Sequence, residues 1–190
     1  GKKAKVNIEQ CVHCNLCEKV CKFGAIKNGI VDEFICEGCG ACTLVCPQNA
    51  IELLAEEPAK AVEILLRLAG EFEENPLIYY YLGIAFRKLE DYHKAIYYLK
   101  ESVKRESGIL EVIVELGLNY ACINDFEEAI KFFKKAFEAS RDVEICTNIV
   151  MCYLNINDLE NAKLHLDIAK NLNPDDEIVK QLDTMINKEQ

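Results

Sequence analysis

Features that mark exported, membrane or nucleic-acid-binding proteins are missing from this sequence. The opening GKKAKVNIEQ is basic but lacks the apolar stretch of an export signal. No run approaches the roughly 18 apolar residues of a membrane span. A net charge of −10 disfavours a nucleic-acid partner, because phosphate neutralisation needs a basic surface. These absences predict a cytoplasmic protein with no membrane or nucleic-acid partner, in which disulfides are the less favoured use of cysteine.

Signs of substrate chemistry are also missing. The sequence has no nucleophile–base pair, no glycine-rich phosphate loop and no flavin or nicotinamide motif. We therefore expect no enzymatic activity of its own. The acidic excess lies wholly in residues 55–190, since residues 1–54 hold six lysines and six acidic residues. This asymmetry places a domain boundary near residue 55.

Cysteine is the residue that the sequence has in excess. Eight of the eleven cysteines fall between residues 11 and 46, in the stretches CVHCNLCEKVC and CEGCGACTLVCP. A shift of 25 residues superposes the two stretches, so the region is an internal duplication. The superposed cysteines are Cys11, Cys14, Cys17 and Cys21 on Cys36, Cys39, Cys42 and Cys46.

A unit this small buries little apolar surface and usually needs disulfides or metal. Dense Cys-x-x-Cys pairs favour shared inorganic centres, either zinc between two knuckles or iron–sulfur clusters. The spacing C-x2-C-x2-C-x3-C-P favours clusters, because three sulfurs on one loop cap one cluster while the fourth serves the other.

On these motifs, residues 6–54 resemble a bacterial-type ferredoxin with two [4Fe–4S] clusters. The resemblance implies that Cys11, Cys14, Cys17 and Cys46 hold the first cluster. It implies that Cys21, Cys36, Cys39 and Cys42 hold the second. Structural zinc remains the alternative.

Three of the differences between the two motifs bear on their loops. Gly38 and Gly40 suit a backbone that passes close to a cluster, whereas His13 and Asn15 stand at the matching places. Lys22 replaces the proline expected after the fourth cysteine. This lysine is either a tolerated surface substitution or a cation that favours the reduced form of the second cluster.

Local signals predict the elements around the cysteines. Asn28-Gly29 suits a two-residue hairpin turn. We expect short strands near Lys5–Ile8 and Ile51–Leu53, and a one-turn helix after the third cysteine of each motif.

The acidic region repeats with a period of about 34 residues, as in YLGIAF at 81–86 and ELGLNY at 115–120. It resembles a tetratricopeptide repeat (TPR) solenoid. We predict a half-repeat helix in 55–75, three repeats in 76–176 starting near Pro76, Leu110 and Val143, and a capping helix in 177–190. With the ferredoxin-type domain at 1–54, the fold class is α+β: a small two-cluster domain followed by an all-α TPR solenoid.

For several other residues of the repeats we predict a structural role rather than a functional one. Asp125 with Glu128 predicts a capping box at a second helix. Cys122, Cys146 and Cys152 are interpreted as small buried residues, and His93 and His165 as solvent-facing.

The TPR resemblance implies a partner-binding concave face lined by the first helices. It carries over to Leu77, Tyr80, Ile84, Arg87, Glu111, Val114, Leu118, Ala121, Glu144, Thr147, Met151 and Leu154. This set is apolar with acidic edges, so we expect an apolar or weakly basic segment as ligand. The alternative is that the capping helix or a second copy of the chain fills the face.

Together these features predict an electron carrier with two [4Fe–4S] clusters, docked by its repeats to a protein partner such as a redox enzyme. One alternative is a scaffold or assembly factor whose clusters are mainly structural. Another is a zinc-binding adaptor.

Overall fold

The computed structural model describes residues 4–7, 10–37, 39, 41–48, 54 and 56–188. The chain divides into two compact units, residues 1–91 and residues 92–190. Within the described ranges, no helix is both long enough and apolar enough to cross a membrane. Gly38, Gly40, Ile8 and the predicted strand at Ile51–Leu53 lie outside the described residues, and residues 5–7 form no regular element.

Where the structure describes the cysteine-rich part of the first unit, it includes two short helices and one hairpin. Strands β1 and β2 pair antiparallel, with Ile26 opposite Val31 and Lys27 opposite Ile30. The turn residues Asn28 and Gly29 have φ angles of 49° and 75°, so the predicted hairpin turn is confirmed. The elements are α1 (Leu16–Val20), β1 (Ile26–Lys27), β2 (Ile30–Val31) and α2 (Ala41–Val45).

Further along the first unit lie two longer helices, α3 (Pro58–Glu71) and α4 (Pro76–Lys88). Each begins with a proline, which suits the first helical position because its missing N–H would have no partner there. The helices pack on each other. They bury apolar side chains at helical spacing, including Leu65 and Leu68 on α3 and Ile78 and Leu82 on α4. A helix is therefore present within 55–75, and it packs on the helix that begins at Pro76.

The second unit is entirely helical over its described residues. Consecutive helices pack on each other, and the last helix also contacts the helix two before it. They are α5 (Tyr92–Arg105), α6 (Leu110–Cys122), α7 (Phe126–Ser140), α8 (Val143–Asn155), α9 (Leu159–Leu172) and α10 (Glu177–Lys188). Together with α4 of the first unit, α6 and α8 thus begin at the three predicted repeat starts, Pro76, Leu110 and Val143.

Small residues allow these helices to approach closely. A Cβ atom on Gly117 of α6 would lie 2.7 Å from the ring of Phe133 on α7. That distance is shorter than any ordinary van der Waals contact, so a larger residue would push the two helices apart.

Helix caps follow the sequence in part. Asp125 accepts a hydrogen bond from the N–H of Glu128, and Asp158 accepts one from the N–H of Asn161. The predicted capping box is half formed. The Glu128 carboxylate binds Lys131, and the Asp125 N–H donates to the Tyr120 carbonyl.

Two predictions about single residues in this unit are wrong. His165 is buried rather than solvent-facing, because its Nδ1–H donates to the Asn161 carbonyl and its ring contacts Tyr153. Cys122, at the last position of α6, is exposed. Cys146 and Cys152 are buried as predicted, and the Cys146 thiol donates to the His165 carbonyl.

Candidate metal centre

The thiols predicted to hold the first cluster line one cavity of about 250 Å³ in the first unit. Three of them come from the segment that leads into and begins α1, and Cys46 directly follows α2. Cys42, which we predict for the second cluster, also reaches the wall. The four predicted ligands on this wall are Cys11, Cys14, Cys17 and Cys46.

The loop that carries the first three thiols has an unusual backbone. His13 and Asn15, on either side of Cys14, have φ angles of 48° and 58°. A left-handed conformation costs an ordinary residue roughly 1–2 kcal/mol, and histidine and asparagine are among the residues that adopt it most readily. Both side chains are exposed, as expected for a loop that turns its backbone inward. Leu16 then begins α1 and is fully buried, which anchors the loop to the core.

The thiols predicted for the second cluster line a smaller cavity of about 20 Å³. Apolar residues, among them Phe23, Ile26 and Ala41, complete its wall. Cys36 is buried while Cys39 is exposed. The four predicted ligands on this wall are Cys21, Cys36, Cys39 and Cys42.

Three of the thiols have raised pKa values, and the neighbouring thiols that contribute belong to the same predicted cluster as the affected thiol. Burial raises the pKa of Cys14, and the nearby Cys46 and Cys11 raise it further. Burial also raises the pKa of Cys17, with added repulsion from Cys14, Cys11 and Cys46. The pKa of Cys42 is raised by burial and then by Cys36 and Cys39. A cationic centre would offset this repulsion, and its binding would release protons.

Backbone amides point at several of these sulfurs. The N–H of Ala25 donates to Cys21 Sγ at 3.2 Å. The N–H of Ala4 donates to Cys36 Sγ, and that of His13 to Cys11 Sγ, each at 3.4 Å. Such bonds stabilise thiolates and are one of the factors that set the potential of an iron–sulfur cluster.

Among the described residues, no three Cys, His, Asp or Glu side chains are grouped as they would be around a single metal ion.

Two further residues that line the first cavity are not among the site residues predicted from the sequence. Gly29, in the hairpin turn, is so close that a Cβ there would lie 3.4 Å from Cys11 Sγ. Gln48 lies on the cavity wall, and its buried Oε1 has no hydrogen-bond partner among the described residues. The only sequence signal for Gln48 was its position two residues after Cys46.

The residues predicted for partner binding fall in both units. In the first unit, Leu77, Tyr80, Ile84 and Arg87 were predicted, and all four lie on α4. In the second unit, α6 carries Glu111, Val114, Leu118 and Ala121. On α8, Glu144, Met151 and Leu154 are accessible. Thr147 departs from the prediction because it is only 1% exposed and its hydroxyl donates to the Glu144 carbonyl.

Comparison with known families agrees with the two kinds of motif. A model described as "4Fe-4S binding domain" matches residues 4–27 and again 30–52. Tetratricopeptide repeat models match residues 78–107, 110–142 and 143–176. The chain therefore joins a 4Fe–4S binding domain to tetratricopeptide repeats. The matches confirm the resemblance to both families, and the two copies of the 4Fe–4S binding domain support two [4Fe–4S] clusters.

Curated relatives share the 4Fe–4S part. The chain is 46% identical over 58 residues to one component of the "Ion-translocating oxidoreductase complex" of Methanosarcina acetivorans, covering 28% of this chain and 22% of that protein. It is 36% identical over 78 residues to "Dihydromethanopterin reductase (acceptor)" of Methanosarcina mazei, covering 34% of this chain and 33% of that protein. Thus it spans about a third or less of either protein.

A third relative is covered over a larger share. The chain is 42% identical over 53 residues to "Pyruvate synthase subunit PorD" of Thermotoga maritima, covering 25% of this chain and 54% of that protein. Relatives of this kind, together with the family matches, support an iron–sulfur electron-transfer role, and the tetratricopeptide repeats indicate protein interaction.

Solved structures share the helical fold. A MamA structure from Desulfovibrio magneticus RS-1 aligns with a TM-score of 0.71 at 19% identity, covering 77% of this chain and 84% of that one. The Cut9–Hcn1 structure aligns with a TM-score of 0.65 at 19% identity, covering 76% and 29%. At this identity the likeness shows the fold alone, and it agrees with the predicted all-α TPR solenoid.

Proposed function

We propose that this protein carries single electrons on two [4Fe–4S] clusters and that its tetratricopeptide repeats dock it to an oxidoreductase. The observation that carries the proposal is the lining of the first cavity by Cys46 together with Cys11, Cys14 and Cys17. That interleaved set is the one expected when the last cysteine of each motif serves the other cluster. When bound, each cluster supplies one-electron redox chemistry.

The chain's own residues tune and hold the clusters. The N–H groups of His13 and Ala25 donate to the sulfurs of Cys11 and Cys21 and so favour the more negative, reduced state. The buried side chains of Leu16, Ile26 and Val45 form the apolar base on which the cysteine loops lie.

The docking role rests on accessible side chains of the first helix of each repeat. On α6, Val114 and Leu118 are partly exposed and apolar, and Glu111 is exposed near the start of the helix. An apolar or weakly basic segment of the partner suits such a surface. Docking would raise the effective concentration of the carrier at its partner and favour transfer to it.

The electron-transfer part is tested by anaerobic isolation of the full chain. We expect about eight irons and about eight acid-labile sulfides per chain, and reversible one-electron reduction at low potential. Colourless protein without inorganic sulfide would overturn the proposal. Intact clusters that cannot be reversibly reduced would favour the scaffold alternative.

The docking part is tested by site-specific photo-crosslinking in host cells. A photoreactive residue at Val114 should capture a component of an oxidoreductase, whereas one at Leu164 is the matched control. Leu164 is 56% exposed on α9, which lies in the same unit and is the second helix of its predicted repeat. Equal capture from both positions would contradict docking through the first helices.

A further inference from the structure

A buried amide connects the start of α4 to the first cysteine loop. Asn75 is 6% exposed, although it lies just before the helix. Its Oδ1 accepts the N–H of Leu77 at 3.0 Å and so caps α4. Its Nδ2 donates to the carbonyl oxygen of Cys14 at 2.9 Å, across 61 residues of sequence. One side chain therefore serves both the helix and the loop.

The carbonyl that Asn75 binds lies in the most strained part of that loop. Cys14 is flanked by His13 and Asn15, which both have left-handed backbones. Non-glycine residues in that conformation persist where the surrounding structure holds them there. In the second motif the matching places are glycines, which reach positive φ without steric cost. The first loop, which lacks those glycines, therefore stands to gain from an external support.

We propose that Asn75 is a positioning residue for the first cluster. Its bond to the Cys14 carbonyl fixes the loop of Cys11, Cys14 and Cys17 in the conformation that presents their sulfurs to the cavity. This inference rests on the proposed function, since it assigns Asn75 a role toward one of the two clusters. It predicts that the first cluster depends on Asn75 and that the second does not.

Two substitutions separate the loop bond from the helix cap. Serine and aspartate cap helices about as well as asparagine. In Asn75→Asp the carboxylate accepts from Leu77 but has no N–H to donate to Cys14. In Asn75→Ser the shorter side chain keeps the cap and does not reach across to the loop. Both variants should retain wild-type helix content by circular dichroism.

The measurement is the rate of cluster loss from anaerobically loaded full-length protein during exposure to an iron chelator. Hyperfine-shifted cysteine resonances in paramagnetic NMR report the two clusters separately. Loss of one buried hydrogen bond should speed release of the first cluster roughly five- to a hundredfold in both variants. The second cluster, in the same molecule, is the internal control and should change less than about twofold.

A rescue distinguishes loop support from general destabilisation. Adding His13→Gly and Asn15→Gly to Asn75→Ser gives the first loop the glycines of the second motif. The rate of loss of the first cluster should then return to within about threefold of wild type, because the loop no longer needs external support. A general loss of stability would not be rescued at those two places.

The outcomes decide the inference independently of the proposed function. A wild-type protein without clusters would refute the proposed function. Wild-type protein with both clusters, but with equal loss of the two in the Asn75 variants, would overturn only the role of Asn75. An unchanged rate for the first cluster, absence of rescue, or loss of helix content in both variants would overturn it as well.

Discussion

The two cysteine motifs have the same spacing but support their loops differently. The first motif places His13 and Asn15 in left-handed conformations and has Lys22 after its last cysteine. The second has glycines at the matching places and the buried Pro47 after its last cysteine. The two motifs thus share a spacing but not a composition, and the first loop adopts left-handed conformations without glycine and is contacted by the distant Asn75.

A variant that lacks the last cysteine of one motif should lose one whole cluster. Because Cys46 lines the first cavity and Cys21 the second, Cys46→Ala should release the cluster bound by Cys11. Cys21→Ala should release the cluster bound by Cys36. Iron content should fall from about eight to about four atoms per chain in each variant. Iron analysis and the hyperfine-shifted cysteine resonances provide the measurement.

Cys122→Ala is the control for these two variants, because Cys122 is exposed on the last position of α6. It should leave both clusters in place. If Cys21→Ala instead removed the cluster bound by Cys11, each motif would hold its own cluster and the interleaved assignment would be wrong.

Replacing Gly29 or Gly24 by alanine should have a smaller effect than removing a cysteine. Gly29 and Gly24 both have positive φ, so alanine at either place should cost about 1–2 kcal/mol of folding free energy. A Cβ on Gly29 would also contact Cys11 Sγ, whereas a Cβ on Gly24 meets nothing within 4 Å. Gly29→Ala should therefore speed release of the first cluster somewhat more than Gly24→Ala does.

Thermal unfolding and the chelator assay measure the two consequences of these glycine variants. Similar melting temperatures with different rates of loss for the first cluster are the expected result. Equal rates in the two variants would show that the hairpin turn contributes only backbone conformation and no contact to the site.

The smallest effect concerns Lys22, which is exposed beside Cys21. Removing its charge in Lys22→Pro should lower the midpoint potential of the second cluster by about 20 mV, as expected for one charge several ångströms away in a watery setting. Lys22→Gln separates the charge from the proline ring and should give the same shift. Redox titration followed by electron paramagnetic resonance measures it. Unchanged potentials would leave Lys22 as a tolerated surface substitution.

Much of the local structure follows from the sequence because it depends on neighbouring residues. The Asn28-Gly29 turn and the helix starts at Pro76, Leu110 and Val143 are determined by backbone preferences and by periodic burial. Cysteine spacing likewise led to the two sets of thiols that line the two cavities. The boundaries of the predicted domains and the assignment of ligands to clusters remain predictions.

What the sequence could not supply is the set of neighbours that the fold gives to individual side chains. An asparagine before a proline predicts a helix cap, but nothing in the sequence indicates that Asn75 also reaches Cys14. His165 is buried because Tyr153 and the Asn161 carbonyl give its ring suitable neighbours. Thr147 is closed to solvent although the repeat pattern places it on a binding face. Each of these residues is buried with its polar group hydrogen-bonded.

Cys21 lines the second cavity and Cys46 the first, so each motif places its last cysteine at the other motif's site. Neither half of the duplication, separated from the other, would bring its own four thiols to one cavity. The two sites should therefore be lost together when the halves are cut apart, although each can be lost alone by substitution of one cysteine.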